Sequence, residues 1–184
     1  MNKRLKQGST FLLAVALTFP LLTLPSAKAA SAIDTDAECS IQFDIGGNSS
    51  ELLSASIPVN LYKVASVDVS GNYTATGTFA KLDLSSVSAD NLDTAAATWS
   101  ERAAEAKKLL KDDTEPTTTV TLTQGRGTAT GLDTGLYLVD TPKVITPNYT
   151  YTFTPYLVSL PTNNYYSGNG ASDDWIYDLT KEYN

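Results

Sequence analysis

Side chains capable of chemistry are sparse in this sequence, and their types exclude most catalytic sites. The chain has no histidine, which excludes Ser-His-Asp and Cys-His machinery and any zinc site with a histidine ligand. The acidic residues Asp112, Asp113, Asp173 and Asp174 fall in predicted loops, where a solvated carboxylate is the ordinary state. No spaced Asp-x-Asp pattern of a calcium-binding loop accompanies them. We therefore expect a protein that is not an enzyme and that holds no cofactor and no metal.

Cys39 is the only cysteine, so the chain cannot form an internal disulfide. A lipid anchor at this residue is disfavoured, because the acidic stretch Asp36–Glu38 precedes it and the apolar N-terminal run has ended by Pro25. The alternatives are a reactive thiol and a small buried side chain, and the second is the commoner role of a lone cysteine. We interpret Cys39 as a packing residue at the start of the first strand.

The N-terminal segment has the organisation of a secretory signal peptide. Three basic side chains within residues 1–10 precede an apolar run, Phe11–Pro25, which is interrupted at Pro20 and too short to span a bilayer stably. Ala27–Ala29 then supplies the small-x-small pattern that signal peptidase recognises. The sequence predicts cleavage between Ala29 and Ala30. Residues 1–29 are then a signal peptide, and the mature protein is secreted without membrane insertion.

The balance of charge argues against nucleic acid and anionic membrane surfaces as partners. The chain has 13 basic and 20 acidic residues, and its formal net charge is −7. Loss of residues 1–29 removes Lys3, Arg4, Lys6 and Lys28 but no acidic residue, so 9 basic and 20 acidic residues remain and the net charge becomes −11. Both kinds of surface are bound through Lys and Arg, which a strongly acidic exported protein offers sparsely.

Short segments of alternating apolar and polar residues predict a β-rich domain over residues 40–184, after a flexible lead-in at 30–39. In the strand predicted for Ile57–Val69, four apolar residues share one face with Lys63: Val59, Leu61, Ala65 and Val67. The other predicted strands are 40–45, 73–79, 117–123, 149–160 with an interruption at Pro155, and 175–179.

The stretch 127–140 predicts two strands joined by a tight turn. Apolar and β-branched residues lie on both sides of Gly131 and Gly135. Because glycine accepts the positive φ that a tight reversal needs, we expect the two strands to form a hairpin.

One segment changes from the strand period to the helix period. Between about residues 91 and 111 the apolar positions recur at spacings of four and three, on one stripe: Leu92, Ala96, Trp99, Ala103, Ala106 and Leu110. Acidic residues lie near the start of this segment and lysines near its end, the distribution that the helix dipole favours. We predict one α-helix lying across a sheet with Trp99 in the core; a ligand-stacking role for this indole is the alternative.

Four strings follow one another in a particular order across the predicted domain. They are Ile57–Tyr73 and, after the helix, Gly131–Val139, Thr154–Pro161 and Asp174–Asp178. Their order and spacing, over about 140 residues, resemble the N-terminal domain of sortase-assembled, SpaA-type backbone pilins of Gram-positive bacteria. The resemblance implies a mainly β fold, an immunoglobulin-like β-sandwich with the helix packed outside it. It also implies a fimbrial subunit at the cell wall, joined covalently by a sortase to other pilin subunits, in fibres that serve cell adhesion.

The chain departs from the family pattern near its end. In the family, a Trp-x-Tyr-Asp strand is followed closely by a Tyr-Pro-Lys segment whose lysine is joined to the sorting signal of the next subunit. Here Lys181 is the lysine nearest to Trp175–Asp178, three residues short of the aligned position, and is the candidate sortase-linkage lysine. No Leu-Pro-x-Thr-Gly signal follows in this sequence. We expect a truncated pilin, the first domain of a longer reading frame, or a secreted relative.

An internal Lys-Asn isopeptide bond is a second feature that the resemblance implies. The reaction needs an uncharged lysine, buried beside an asparagine and a proton-relaying acid. The family places the lysine on the first strand and the asparagine on the last, but 40–45 has no lysine and 175–183 has no asparagine. Lys63 is the remaining candidate isopeptide lysine, although a lysine that extends its amine past the sheet edge also explains its parity. We predict that no such bond forms.

A secreted carbohydrate-binding β-sandwich module is the competing function. Six aromatic residues are available to stack on sugar rings: Tyr149, Tyr151, Tyr156, Tyr165, Tyr166 and Trp175. Tyr149 and Tyr151 alternate with threonine in a predicted strand, however, where aromatic residues are common for packing reasons alone. The pilin interpretation is therefore preferred.

The absence of an isopeptide bond is tested by the intact mass of the mature protein. Because the bond expels ammonia, its formation lowers the mass by ~17 Da, whereas we expect the unmodified value within about 1 Da. Electrospray mass spectrometry of the secreted protein makes the measurement. A mass deficit of one ammonia would contradict the prediction.

Overall fold

The computed structural model describes residues 10–13, 32–46, 50–87, 89, 96–163 and 174–182. Over these residues two larger β-sheets and one long helix form three layers, accompanied by two smaller sheets. The helices are α1 Ser50–Ser54 and α2 Ala96–Leu109, with a 3-10 turn at Gly77–Phe79. The strands are β1 Thr10–Leu13, β2 Cys39–Asp44, β3 Ile57–Val67, β4 Tyr73–Ala75, β5 Thr118–Leu122, β6 Arg126–Leu132, β7 Gly135–Asp140, β8 Val144–Ile145, β9 Thr150–Phe153, β10 Tyr156–Leu160, β11 Thr162–Asn163, β12 Trp175–Ile176 and β13 Asp178–Glu182. The two smaller sheets have the orders β1-β9-β8 and β11-β12.

The middle layer, called the central sheet below, has β3 and β7 as its inner strands. β7 lies between β3 and β10, and all of these pairings are antiparallel. On its other edge β3 pairs with β5 along its first half and with β4 along its second half. The outer sheet has the order β13-β2-β6, in which β2 is antiparallel to β6 and parallel to β13.

The main core lies between the two sheets. From the outer sheet, Ile41 and Phe43 are fully buried, as the alternation in the first predicted strand indicates. Val120 and Leu122 of β5 point into the same core, also as predicted. Burial of this apolar face, at roughly 25 cal/mol per Å², is the main favourable contribution to folding. The predicted immunoglobulin-like sandwich is confirmed.

Helix α2 covers the other face of the central sheet, so the helix lies outside the sandwich as predicted. Trp99, Ala103 and Ala106 are buried against this face, and the Trp99 ring meets Tyr73 edge to face at 6.2 Å. In the last turn of the helix, the Lys107 ammonium pairs with the buried carboxylate of Asp140 in β7. The helix ends at Leu109, two residues before the predicted end, and the predicted start at 91–95 lies outside the described residues.

A β-bulge in β3 makes the predicted shared face wrong beyond Lys63. Leu61 pairs with Val139 and Lys63 with Tyr137, but the register then shifts, and Ala65 pairs with Leu136. One extra residue on the bulged strand turns the following side chains to the opposite face. Val59 and Leu61 therefore face the outer sheet, whereas Ala65 packs on the helix side and Val67 belongs to a third, smaller cluster.

The predicted hairpin at 127–140 is wrong in its pairing. β6 joins β2 in the outer sheet, whereas β7 joins β3 and β10 in the central sheet. β7 is buried along its whole length and both of its edges are occupied, so it has no edge left for β6. The tight turn instead lies between β5 and β6, where Gln124 and Gly125 have φ of 53° and 78°.

Residues before β2 contact the sandwich. From the predicted flexible lead-in, Ile33 is 2% exposed and packs with Val67 and Ala89, and its N–H donates to the Val69 carbonyl at 3.0 Å. Further upstream, β1 pairs in parallel with β9, with Thr10 opposite Thr150. The predicted cleavage site at Ala29 and Ala30 lies outside the described residues, so the domain boundaries stay a prediction.

Gly135 at the start of β7 is the glycine on which the crossing between the sheets depends. A Cβ at Gly135 would lie 2.4 Å from the Ala65 carbonyl oxygen, and its φ is +152°. At Gly131, with φ of +65°, a Cβ would meet nothing within 4 Å. We expect Gly135→Ala to lower the free energy of unfolding by about 2–4 kcal/mol and Gly131→Ala by about 1 kcal/mol. Urea unfolding measures both, and equal losses would contradict the prediction.

Candidate functional site

The string Trp175–Asp178 leads directly into the edge strand that closes the outer sheet. β12 pairs with β11. The strand is interrupted at Tyr177, and β13, which begins at Asp178, runs parallel to β2. Along β13, Leu179 lies opposite Ile41 and packs against the main core. Lys181, the candidate linkage lysine, takes the register position opposite Phe43. The lysine thus lies on a paired strand at the edge of the sandwich.

Tyr177 and Asp178 connect this last strand to the start of the first. The Ser40 N–H donates to the Tyr177 carbonyl at 3.0 Å, and the Ser40 hydroxyl donates to Asp178 Oδ1 at 2.7 Å. The N–H of Asp34 donates to the Tyr177 hydroxyl at 2.9 Å. These contacts join residues that are far apart in the chain, so they leave no signal in the sequence. They give the Tyr-Asp pair a positioning role that its spacing alone does not reveal.

Lys63, the candidate isopeptide lysine, makes an ion pair at the end of the sandwich. Its Nζ lies 2.9 Å from Asp133 Oδ2, and the Lys63 and Asp133 side chains are 26% and 80% exposed. The aliphatic part of the Lys63 side chain lies close to Gly135, since a Cβ added to Gly135 would be only 3.0 Å from Lys63 Cε. Amide formation requires a buried, uncharged amine, and an ammonium paired with an exposed carboxylate does not meet that requirement. These contacts match a lysine that extends past the sheet edge.

The same end of the molecule holds a pocket of about 380 Å³ that Lys63 and Asp133 help to line. Asp36 and Glu38 lie at its rim, so its charges are mainly acidic. Among the residues that the structure describes, no three acidic or thiol side chains come close enough together to hold a metal ion. The loop acids Asp112, Asp113 and Asp174 are exposed, and Asp173 lies outside the described residues.

Cys39 and Tyr137 are the titratable side chains buried between the sheets. Cys39 is 2% exposed and Tyr137 is fully buried, with its hydroxyl donating to the Asp133 carbonyl at 2.9 Å. Burial, aided by the charges of Asp178 and Asp133, raises the pKa of the Cys39 thiol to about 11. Burial likewise raises the pKa of Tyr137 well above its usual range. Neither group has the exposed, ionised form that a nucleophile needs.

A second polar cluster holds the loop before β9. The Glu51 carboxylate of α1 accepts hydrogen bonds from the Thr146 hydroxyl and the Asn148 amide. These bonds lower the pKa of Glu51, with that of Thr146 the larger cause. The carboxylate therefore fastens a turn and is not a candidate general acid.

The aromatic residues proposed for sugar stacking are divided among different packing sites. Tyr149 and Tyr151 form a tilted pair with ring centroids 6.0 Å apart, and Tyr149 is 41% exposed. Tyr151 and Tyr156 pack against the main core, whereas Trp175 packs against the cluster around Ile33. Tyr165 and Tyr166 lie outside the described residues.

None of the helices in the described part of the chain is long and apolar enough to cross a membrane.

Solved structures of Gram-positive pilins are similar to this chain. The full-length major pilin SpaD from Corynebacterium diphtheriae is 21% identical over 82% of this chain and 30% of that chain, with a TM-score of 0.42. The Corynebacterium diphtheriae SpaA pilin–signal peptide complex is 18% identical over 80% of this chain and 94% of that chain, also with a TM-score of 0.42. The pilus backbone RrgB from Streptococcus pneumoniae is 14% identical over 78% of this chain and 40% of that chain, with a TM-score of 0.32.

These neighbours belong to the class of proteins that the sequence strings resemble. No family model matches the sequence, and no curated protein matches it. The chain spans about a third of the length of the full-length pilin SpaD. Likeness at this level of identity concerns the fold, so the role of each residue follows from the contacts of this chain.

The burial of Cys39 predicts an unreactive thiol in the folded protein. At about pH 8 a thiol with a pKa near 11 is almost wholly protonated and, here, shielded from reagents. We expect Ellman's reagent to leave the native protein unmodified and to titrate one thiol in guanidinium chloride. Burial raises the pKa of the folded Cys39 thiol above its value in the unfolded chain. The free energy of unfolding should therefore be unaffected by this thiol below the unfolded pKa and should fall as the pH rises from that value toward 11.

The control for this prediction is Cys39→Ala, which lacks the thiol. It should lose the part of the alkaline destabilisation that comes from thiol ionisation and retain the part that comes from Tyr137. Rapid modification of the native protein would contradict the assignment of Cys39 as a packing residue.

Proposed function

We propose that the protein is a structural subunit, or one domain of a subunit, of a Gram-positive surface pilus assembled by a sortase. The observation that carries the proposal is the course of the chain after Trp175. The string Trp175–Asp178 enters an edge strand that bears Lys181, in the region where the pilin resemblance places the linkage lysine. An edge strand is accessible on one side, which suits a lysine that an enzyme must reach.

The rest of the molecule supports a mechanical role. Several of its ionisable groups help to fix the fold: Lys107 with Asp140, Lys63 with Asp133, and Glu51 with the turn before β9. Cys39 and Tyr137 are packed between the sheets. A building block of a fibre needs a stable body and an accessible linkage point, and it needs no catalytic site of its own.

The proposal includes export and assembly. Residues 1–29 act as a signal peptide that is cleaved between Ala29 and Ala30, and the mature domain becomes part of the cell wall through a pilus. Its partners are other pilin subunits and the sortase that joins them. The strongly acidic mature chain fits a protein that works outside the cell and away from nucleic acid.

The linkage lysine is tested by a transfer reaction in solution. The chain is incubated with a pilus-assembling sortase and a labelled peptide that carries a Leu-Pro-x-Thr-Gly signal. The sortase cysteine cleaves the peptide after threonine and holds the threonine acyl group as a thioester while the glycine amine leaves. We expect Lys181 Nζ to displace the enzyme thiol and to form an amide with the threonine. Tandem mass spectrometry locates the modified residue, and Lys181→Arg should abolish labelling because the guanidinium group is not a nucleophile at neutral pH.

Two matched variants control this experiment. Lys143→Arg removes an exposed lysine elsewhere on the surface, and Lys63→Arg removes the lysine that pairs with Asp133. Both should be labelled at Lys181 as efficiently as the unmodified sequence. Labelling of Lys181→Arg at the original rate would contradict the assignment of this residue. Absence of sortase-dependent, high-molecular-weight ladders in wall digests of the native organism would contradict the pilin function.

A further inference from the structure

Strand β9 has one edge that is occupied only by residues from the start of the chain. β8 pairs with β9 antiparallel on one side, and β1 pairs with it in parallel on the other, from Thr10 opposite Thr150 to Leu13 opposite Phe153. Residues 10–13 lie within the segment that the proposed function removes as a signal peptide. In the mature protein, the amide and carbonyl groups along this edge of β9 therefore lose the strand that pairs with them here.

We propose that this edge of β9, once vacated, is a docking site for an extended, uncharged segment of a partner protein that has apolar residues at alternate positions. The inference rests on the proposed function, since cleavage between Ala29 and Ala30 is what opens the edge. The sequence of β1, Thr-Phe-Leu-Leu, shows the chemistry that the edge accepts, because it is uncharged and mainly apolar. The partner segment adds to the sheet as a strand, through main-chain hydrogen bonds.

The register of β1 indicates where the apolar residues of the partner segment must lie. The two threonines of β9 are exposed, whereas Tyr151 and Phe153 are partly buried and pack against the main core. Phe11 takes the register position opposite Tyr151, and Leu13 takes the position opposite Phe153. Because successive residues of a strand alternate between the two faces of a sheet, the partner needs apolar residues at these two positions and tolerates a polar residue between them.

The surface around this edge is also suited to a partner. Among the described residues, three large apolar side chains are exposed, and two of them belong to this small sheet or adjoin it. Ile145 of β8 is 70% exposed, and Tyr149, directly before β9, is 41% exposed. β9 itself contains no charged residue and no proline, which are features that commonly keep an edge strand from pairing. The vacated edge is therefore unprotected against a further strand.

A second copy of the mature chain is a less suitable occupant than a different protein. With 9 basic and 20 acidic residues, each mature copy has a net charge of −11, so two copies repel each other. The described strands of a folded copy are already paired within its own sheets. A copy that offered one of them would have to break that pairing, whereas an extended segment of another protein has no such pairing to lose.

Binding of a synthetic peptide tests the site. The probe is a fluorescently labelled peptide of residues 9–14, which contains β1, and it is titrated into the mature chain, residues 30–184. This chain retains the core, because the members of the three core clusters all lie at residue 33 or beyond. We expect saturable binding to the mature chain. Binding to the full chain should be about tenfold weaker or more, because its tethered β1 competes at a high effective concentration.

Two substituted peptides test the required positions. Leu13→Asp places a charge opposite the partly buried Phe153 and should abolish binding. Leu12→Asp is the matched control, because its position lies opposite the exposed Thr152, and it should weaken binding by about threefold at most.

Two methylated peptides test strand addition without changing any side chain. One carries methyl groups on the main-chain amides of Thr10 and Leu12, and the other on those of Phe11 and Leu13. Alternate amides of a strand point to opposite edges, so one peptide should lose binding and the other should retain it.

Hydrogen exchange locates the binding site on the protein. Amides within Thr150–Phe153 should exchange faster in the mature chain than in the full chain, and the unmodified peptide should restore their protection. Amides within Thr118–Leu122 of β5 are the internal control and should not respond, because β5 pairs with β3 in the central sheet.

Equal affinity of the peptide for the mature and full chains would overturn the proposal, as would an equal loss of binding with the two methylated peptides. Dimerisation of the mature chain that the peptide reverses would also overturn it, since the occupant would then be a second copy. These measurements need no sortase and no fibre, so they are independent of the labelling of Lys181. N-terminal sequencing of the secreted protein tests the cleavage separately, and a chain that still begins at Met1 would contradict the signal peptide whether or not the peptide binds.

Discussion

Burial of β7 on both faces is the constraint on which the rest of this structure depends. Tyr137 and Val139 face the outer sheet, and Leu136 and Leu138 face the helix. A strand with two apolar faces is stable only when both are covered, so the molecule needs a layer on each side. The outer sheet supplies one layer and α2 the other. The ion pair between Lys107 and Asp140 fastens the helix to the end of this same strand.

The sequence was sufficient to predict the longer elements, but not the short helix α1, the short strands β8 and β11, or how distant strands pair. The stripe around Trp99 predicted a helix, because its period differs from that of a strand, and the interruption at Pro155 separates β9 from β10 as expected. The supposed hairpin failed because local turn signals do not reveal that both edges of β7 are taken by distant strands. The predicted shared face of β3 was wrong beyond Lys63 for a similar reason, since a single extra residue in a β-bulge leaves no mark in an alternating pattern.

The candidate site was predictable in part. The strings around Trp175 pointed to the last strand, and Lys181 does lie on a strand at the edge of the sandwich. The contacts that fix this strand to the start of β2, through Tyr177 and Asp178, could not be derived from spacing because they join the two ends of the domain. The parity of Lys63 alone left two alternatives, a buried amine and a lysine that extends past the sheet edge; its contact with the exposed Asp133 carboxylate fits the second, which the sequence analysis had favoured.

The position of Cys39 has a consequence for the time before the domain is complete. Its thiol becomes inaccessible only when β2 is covered by the central sheet, so an unfolded chain presents it to any oxidant in its surroundings. An oxidant that takes two electrons and two protons from the Cys39 thiols of two such chains would join them through an intermolecular disulfide, which would keep both cysteines out of the core. Rapid formation of the core is therefore the protection against covalent dimers, and slow-folding variants would be expected to accumulate them.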